Sequence, residues 1–399
     1  MAYAEGNESD GPAASEGKGM KVLPYARHWI DDTDISSVVS VLRSNSITQG
    51  PRVAQFEEGL ARYCGAPFAV AFSSGTAALH ASIFAAGIGP GDEVITSALS
   101  FVASANCVLF QGARPRLVDV EPGGFNIDPN GVRSALSQRT KAVIPVDYAG
   151  HPAELNEIRQ AAHRSGAIVI EDACHSLGAE YHGKKTGSHS DMTVFSFHPA
   201  KHITTGEGGM VLTQKKAYYD KLLAFRSHGI VRSDSESKKR EFPWAYDMAA
   251  LGYNYRLTEL QAALGISQMK KLPRFLRRRY EIASAYDVAF KNLNFGSPLE
   301  VKEGIVSARH LYVLKIDFVR LGCTRGQVMR RLLERGVGTQ VHYIPIHWHS
   351  YYRSHLGYKK GDFPQAEAFY ESALSLPLFP KMTDQDVRRV INAVVAIVG

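Results

Sequence analysis

Three short stretches carry side chains that could do chemistry together. Ser73-Ser74-Gly75-Thr76-Ala77 follows an apolar run and leads into a helical pattern. Small residues there expose backbone N–H groups, and a helix N-terminus adds partial positive charge, which together make a cradle for a phosphate. Taken alone, the stretch reads better as a plain Ser or Thr N-cap. Asp172, in IVIEDACHSLGA, follows a second apolar run. A carboxylate there can pair with a protonated ring nitrogen. At roughly 4 Å and an effective dielectric of about 20 the pair is worth about 4 kcal/mol. That equals about 3 pKa units, enough to keep a pyridine protonated near neutrality; a helix cap or a surface carboxylate is the alternative. Lys201, in SFHPAKHITTGEGG, follows a third run beside a Gly-rich turn. Desolvated at such a turn, a lysine becomes nucleophilic; the alternative is a solvated lysine.

The elements that must position these residues follow from periodicity. Short apolar runs predict strands over 68–72, 93–96, 116–120, 142–146, 167–171, 193–196 and 210–213. Between them, 3.6-period segments predict helices over 77–86, 102–111, 130–137 and 153–164, with Asp128 as N-cap and Pro129 in the first turn of the third. Such alternation predicts an α/β fold with a mostly parallel sheet and helices on both faces. In parallel sheets ligands sit at the carboxyl ends of strands, where all three stretches fall. That shared edge weakens each dull alternative. After Tyr255 the texture changes: helices are predicted over 257–269 and 274–290, parted near Pro273, then a strand over 310–316 and helices over 325–335, 364–375 and 383–397. This reads as a smaller C-terminal α+β domain.

Composition excludes several classes. The 399 residues are 45% hydrophobic and 21% charged, with 35 Gly and 18 Pro, which is ordinary globular usage and not that of a disordered or collagenous chain. Cys64, Cys107, Cys174 and Cys323 form no CxxC pair, which predicts reduced thiols in a cytoplasmic protein. The first residues lack the basic and apolar regions of a signal peptide and predict a mobile tail over 1–20. Uncharged stretches over 63–91 and 94–113 are too interrupted by polar residues and glycine to span a membrane. The net charge of +7 includes the runs Lys238-Lys239-Arg240 and Arg274 with Arg277-Arg278-Arg279, which read as solvated helix faces rather than a nucleic-acid surface. No metal is expected. The run Gly178 to Lys185 misses the P-loop Ser/Thr, and Gly87, Gly89 and Gly91 precede a strand rather than follow one. The set His342, His347, His349 and His355 lacks a spaced Cys or carboxylate.

In combination, SSGTAAL, SFVASAN, EDACHSLGA, SFHPAKHITTGEGG and GYNYRLTELQAALG resemble the DegT/DnrJ/StrS sugar aminotransferases, pyridoxal-phosphate (PLP) enzymes of aspartate-aminotransferase-like fold (fold type I). The resemblance runs from about Leu23 to Ile397. It implies a large PLP-binding domain over 21–270 and a small C-terminal domain over 271–399. Lys201 would bond the cofactor and serve as the catalytic acid–base group. Asp172 would pair with the ring nitrogen, His175 would lie near the ring's phenolic side, and Phe101 would stack on its face. Ser74, Gly75, Thr76 and Ser196 would hold the phosphate, joined by Asn254 from a second subunit of a homodimer with shared active sites. Tyr25, Asn45, Ser46, Ile47, Thr48, His342, Tyr343, Ile344 and Pro345 match the family's sugar-nucleotide contacts. The implied reaction moves an amino group from L-glutamate to the C4 keto carbon of a nucleotide-linked 4-keto-6-deoxyhexose, passing through the pyridoxamine form (PMP). HPxK before the lysine, YARHWI…SITQGP, VHYIPIH and SLPLFP look most like the branch that works on a UDP-linked sugar in pseudaminic acid synthesis. The same reaction on a GDP- or dTDP-sugar is one alternative, and a regulatory, nucleic-acid-binding family member is another.

Overall fold

The computed structural model describes residues 22–231, Trp244 and 246–399. The expected tail over 1–20 and the run Lys238-Lys239-Arg240 lie outside the described residues. Seven strands make the central sheet: β1 (Phe68–Phe72), β2 (Glu93–Ser97), β3 (Arg114–Val118), β4 (Thr140–Ile144), β5 (Ile168–Asp172), β6 (Met192–Ser196) and β7 (Gly209–Thr213). Their order across the sheet is β1-β7-β6-β5-β4-β2-β3. Every pair is parallel except the two made by β7, which runs antiparallel to β1 and β6.

Successive strand residues feed opposite cores, as the two-residue period requires. Val70, Phe72 and Val211 pack with Leu79, Ile83 and Phe225, while Ala69, Ala71, Met210 and Leu212 pack with Phe56 and Leu60. Both faces are therefore covered, which is why these strands read as continuous apolar runs. Helix Pro129–Ala135 begins as its sequence predicts, with Asp128 accepting from the Asn130 N–H at 2.9 Å. A second, antiparallel sheet joins Gly296–Pro298, Tyr312–Ile316 and Ala373–Leu376. It packs with helices Arg325–Glu334 and Asp384–Val398 and the second half of Glu259–Phe290 around Tyr286, Phe290, Leu314, Leu332 and Val390. Leu23, near the start of the described chain, is buried in this same core.

Local expectation fails at two places, both for tertiary reasons. The helices predicted to part near Pro273 are one helix, Glu259–Phe290, with Pro273 inside it. An interior proline costs about 3 kcal/mol. Burial of Leu272, Phe275, Ile282, Tyr286 and Phe290 outweighs that, at about 1.5–3 kcal/mol each. The predicted helix over 364–375 stops at Ser372, and Ala373–Leu376 is a strand. Pro377 disfavours helical backbone before it, and Leu374 and Leu376 gain the C-terminal core by pairing with Tyr312–Lys315.

Two helices precede the sheet, Asp32–Leu42 and Pro51–Cys64, and the second takes its cap from far along the chain. Gly50 offers no side-chain cap; instead the buried Glu259 carboxylate accepts from the N–H groups of Arg52 at 2.7 Å and Val53 at 3.1 Å. The basic run on the long helix, expected as a solvated face, is solvated only in part: Arg277 is exposed, and the other three arginines engage protein. Arg274 lies 4.2 Å from the Trp29 ring centroid, Arg278 donates to Asp384 at 2.7 Å, and the buried Arg279 donates to the carbonyl oxygens of His310 and Leu378. Among the described residues no helix is long and apolar enough to cross a membrane. Replacing Glu259 by Ala strips two first-turn donors of their acceptor. We expect a loss of about 2 kcal/mol, read as a lower urea midpoint at unchanged slope.

Candidate active site

The carboxyl ends of β1 and β6 meet around one glycine, with the end of β5 beside β6. Gly209 pairs with Phe72 on one side and Ser196 on the other. A Cβ there would stand 2.4 Å from the Ser74 carbonyl oxygen, so only glycine lets the Ser73–Gly75 turn close over β7. Ser74 caps helix Gly75–Ala85, its Oγ accepting from the Ala77 N–H at 3.1 Å. The dull reading of this stretch is thus true as geometry. It leaves the N–H groups of Gly75 and Thr76 at an open helix end. A Cβ on Gly75 would lie 3.0 Å from Cβ of Ser196 and 3.4 Å from Sγ of Cys174. Bare backbone, the Ser196 hydroxyl, the Cys174 thiol and positive helix potential therefore share one small space.

Asp172 ends β5 and is buried. Its Oδ2 accepts from Ser104 Oγ at 2.6 Å, and Ser104 in turn lies 2.8 Å from Ser100 Oγ. Its Oδ1 accepts from the Cys174 N–H at 3.3 Å. Lys201 sits on the turn after β6, with its N–H donating to the His198 carbonyl at 2.8 Å. Burial pushes the Lys201 amine below the ordinary lysine range, against the opposing pull of Cys174 and Asp172. Amine and carboxylate thus feel each other from adjacent parallel strands. Phe101, which precedes the helix carrying Ser104, is 41% exposed and faces Tyr343 at 5.8 Å between centroids.

A second group of side chains closes on the same point from the C-terminal part of the chain. The Tyr343 hydroxyl lies 3.0 Å from His175 Nε2. The His175 ring lies 4.3 Å from that of His310, and His310 lies 5.3 Å from His202. His202 Nε2 bonds the Ala308 carbonyl at 3.0 Å. The Nδ1 atoms of His175, His202 and His310 are buried without a partner among the described residues. Burial lowers the pKa of each of the three, with the Lys201 charge adding to it, and pushes His342 down to about 3. All four are neutral imidazoles near neutral pH. Tyr25 faces His342 at 5.4 Å, while His342 holds Ser375 through Nδ1 at 2.8 Å and its carbonyl accepts from Tyr148. Ile344 is exposed and Pro345 buried; the Ile346 N–H ties this segment to Ala98, just past β2.

Other expected residues stand apart from this group in one chain. Asn45, Ser46, Ile47 and Thr48 are exposed, and their anchor is the Ile47 carbonyl accepting from the Glu259 N–H at 3.1 Å. Asn254 is exposed and bridged to Ser227; its neighbour Tyr255 accepts from the Ser73 N–H at 2.8 Å. Ser104, Tyr148, His202 and His310 escaped the sequence reading. Ser104 and His202 lie inside the motifs SFVASAN and SFHPAKHITTGEGG, but neither their type nor their spacing marks them there. Behind Asp172 lies a further pair, Asp147 and Glu171, both fully buried. Asp147 accepts from Ser176 Oγ at 2.6 Å and from the Ala153 N–H at 3.0 Å; Glu171 accepts from Ser190 at 2.9 Å and Thr193 at 3.0 Å. Burial raises the pKa of both, and the facing Glu171 raises Asp147 further. Among the described residues no group of three or more His, Cys, Asp or Glu side chains is arranged to hold a metal ion.

Known proteins share this chain's sequence and fold over nearly its whole length. The profile of the DegT/DnrJ/EryC1/StrS aminotransferase family matches residues 28–395. The spore coat polysaccharide biosynthesis protein SpsC of Bacillus subtilis is 41% identical, over 94% of this chain and 97% of its own. The UDP-4-amino-4,6-dideoxy-N-acetyl-beta-L-altrosamine transaminase of Campylobacter jejuni is 38% identical, over 94% and 97%. The solved structure of Helicobacter pylori PseC, an aminotransferase in the biosynthesis of pseudoaminic acid, superposes with a TM-score of 0.88 at 33% identity, covering 95% of this chain and 99% of that one. Solved sugar aminotransferases of this fold include both PLP- and PMP-forms.

Two outcomes follow from the electrostatics. A depressed pKa leaves the Lys201 amine unprotonated at lower pH than surface lysines. In the cofactor-free chain, acylation followed by peptide mapping should show Lys201 reacting at a pH where other lysines do not; a profile matching the surface lysines would contradict its desolvation. The raised Asp147 and Glu171 carboxyls favour the fold while protonated. Their contribution is largest below the ordinary carboxylate range and falls as pH rises through their higher folded values. Glu171→Gln should therefore flatten that decline in urea stability measured across pH.

Proposed function

The chain belongs to the DegT/DnrJ/EryC1/StrS aminotransferase family, and from that premise we propose that it transfers the amino group of L-glutamate to C4 of UDP-2-acetamido-2,6-dideoxy-β-L-arabino-hexos-4-ulose. It is a PLP-dependent sugar aminotransferase. The proposed sugar is that of the altrosamine transaminase branch in pseudaminic acid biosynthesis, supported by likeness to the Campylobacter jejuni enzyme and to PseC. The reading of the site rests on one observation: Asp172, Lys201 and the Gly75 helix end converge at one sheet edge.

The donor set fits PLP. The Gly75 cradle is one a Cβ would fill, and the Asp172 carboxylate is fixed by Ser104 with no basic partner of its own within bonding distance among the described residues. Ser74, Gly75, Thr76 and Ser196 would hold the phosphate. Asn254 of a second subunit would join them, and its exposure on one chain supports that assignment. Trp244, Tyr246, Met248 and Leu251, all exposed on the segment leading to Asn254, supply apolar surface for a homodimer interface. Phe101 would cover the ring face, and His175 would stand at its phenolic side. When bound, PLP supplies the electron sink that stabilises negative charge at the carbon losing its proton.

The chain's own residues do the rest. Asp172 would keep a proton on the ring nitrogen, its carboxylate aimed by Ser104. Lys201, its pKa lowered by burial, would anchor the cofactor, then take a proton from the donor's carbon and return it. Tyr25, the 45–48 loop and His342, Tyr343, Ile344 and Pro345 would bind the nucleotide sugar. We assign the reaction to the cytoplasm, a reading supported by four unpaired cysteines.

The test is a panel of UDP-, dTDP- and GDP-linked 4-keto-6-deoxy sugars with L-glutamate and PLP, with the aminated product identified by NMR. Turnover of the UDP-sugar is expected; turnover restricted to a GDP- or dTDP-sugar would refute the sugar and leave the reaction type. Lys201→Ala should abolish the visible absorption band and lower turnover by about 10³-fold or more. Ser104→Ala should weaken cofactor retention about tenfold, as expected for a lost bond to a charged group. Full activity in Lys201→Ala would end the assignment of that residue.

A further inference from the structure

The Tyr343–His175 contact carries more than packing. Tyr343 reaches in from the C-terminal part of the chain, and its hydroxyl and His175 Nε2 are 3.0 Å apart with ring planes nearly parallel, 27° between them. A neutral imidazole has one donor and one acceptor nitrogen, and which is which is set by its partners. Here the two atoms differ in chemistry. The phenol is the better donor and the imidazole nitrogen the better base. The His175 ring cannot settle the matter elsewhere, since its Nδ1 is buried without a partner.

We propose that Tyr343 is a positioning residue that donates its hydroxyl proton to His175 Nε2 and so fixes the ring proton of His175 on Nδ1. The inference deepens the reading above, on which it rests for its catalytic consequence. With its one proton committed to His175, the Tyr343 oxygen can offer a bound group only lone pairs. The pair therefore selects an N–H or O–H donor on whatever ligand reaches it, and disfavours a bare carbonyl or carboxylate oxygen. Burial holds the Tyr343 hydroxyl protonated far above its ordinary range, which suits a donor. Burial keeps His175 neutral, with Lys201, His342 and His202 disfavouring a further positive charge beside them, His310 against its ring and Tyr148 at its edge.

The experiment uses the full chain labelled with 15N-histidine, with and without PLP, and identifies the His175 signals by their loss in His175→Gln. The imidazole 15N shifts report the tautomer directly. The wild type should show His175 protonated on Nδ1, and Tyr343→Phe should move it to the Nε2–H form or a mixture. The visible band of the loaded enzyme gives the second readout. Tyr343→Phe should shift the pH midpoint of that band by about one unit, whereas adding it to His175→Gln should shift nothing further, because an amide has no tautomer to set. An Nε2–H wild type, an unmoved tautomer in Tyr343→Phe, or an equal band shift in the His175→Gln background would each overturn the proposal. A chain that takes up no PLP defeats the reading of the site instead, and leaves the tautomer measurement to decide this inference.

Discussion

Keeping one amine out of water is the demand around which this fold is arranged. A lysine loses several kcal/mol of hydration when buried, and it stays charged only where a partner offsets the loss. For Lys201 the offset is partial: Asp172 and Cys174 pull its pKa back up, but burial prevails. The same low-dielectric surroundings carry the lysine's charge outward to His175, His202, His310 and His342 and hold them neutral. The four imidazoles of this site thus add no positive charge to that of the lysine at neutral pH. Basicity here is available without being expressed until a proton is offered.

Strands and their ends were legible from sequence because their signal is local. All seven central strands stand within a few residues of their predicted bounds, and Asp172 and Ser196 sit at strand ends where ligands collect. Long-range packing was not legible. Nothing near Pro273 signals that Leu272 and Phe275 will be buried deeply enough to carry the helix through. Nothing near residue 373 announces a strand except the proline at 377 and the alternation of Leu374 and Leu376. The cap of helix Pro51–Cys64 lies two hundred positions away, at Glu259.

The site divides along the same line. Gly75, Asp172 and Lys201 could be singled out because each follows an apolar run. Ser104, His202 and His310 could not, since a hydroxyl or an imidazole inside a helix or before a strand has many ordinary uses. Their importance comes from proximity: Ser104 at 2.6 Å from Asp172, and His310 at 4.3 Å from His175. Three unpartnered ring nitrogens in one stack are costly, at about 1–3 kcal/mol each, and a fold retains such a stack where something other than stability requires it.

The long helix has a mechanical meaning. Its 32 residues extend about 48 Å. One end grips the turn around Ile47 and Gly50 through Glu259, and the other is clamped in the C-terminal core by Tyr286 and Phe290. It is a strut between two hydrophobic cores, and one rung of its ladder is missing at Pro273. Any rocking of the C-terminal sheet would bend the strut there while the grip at Ile47 stayed fast, and the bonds from Ile346 to Ala98 and from His310 to Ala149 would hold the site's edge to the central sheet.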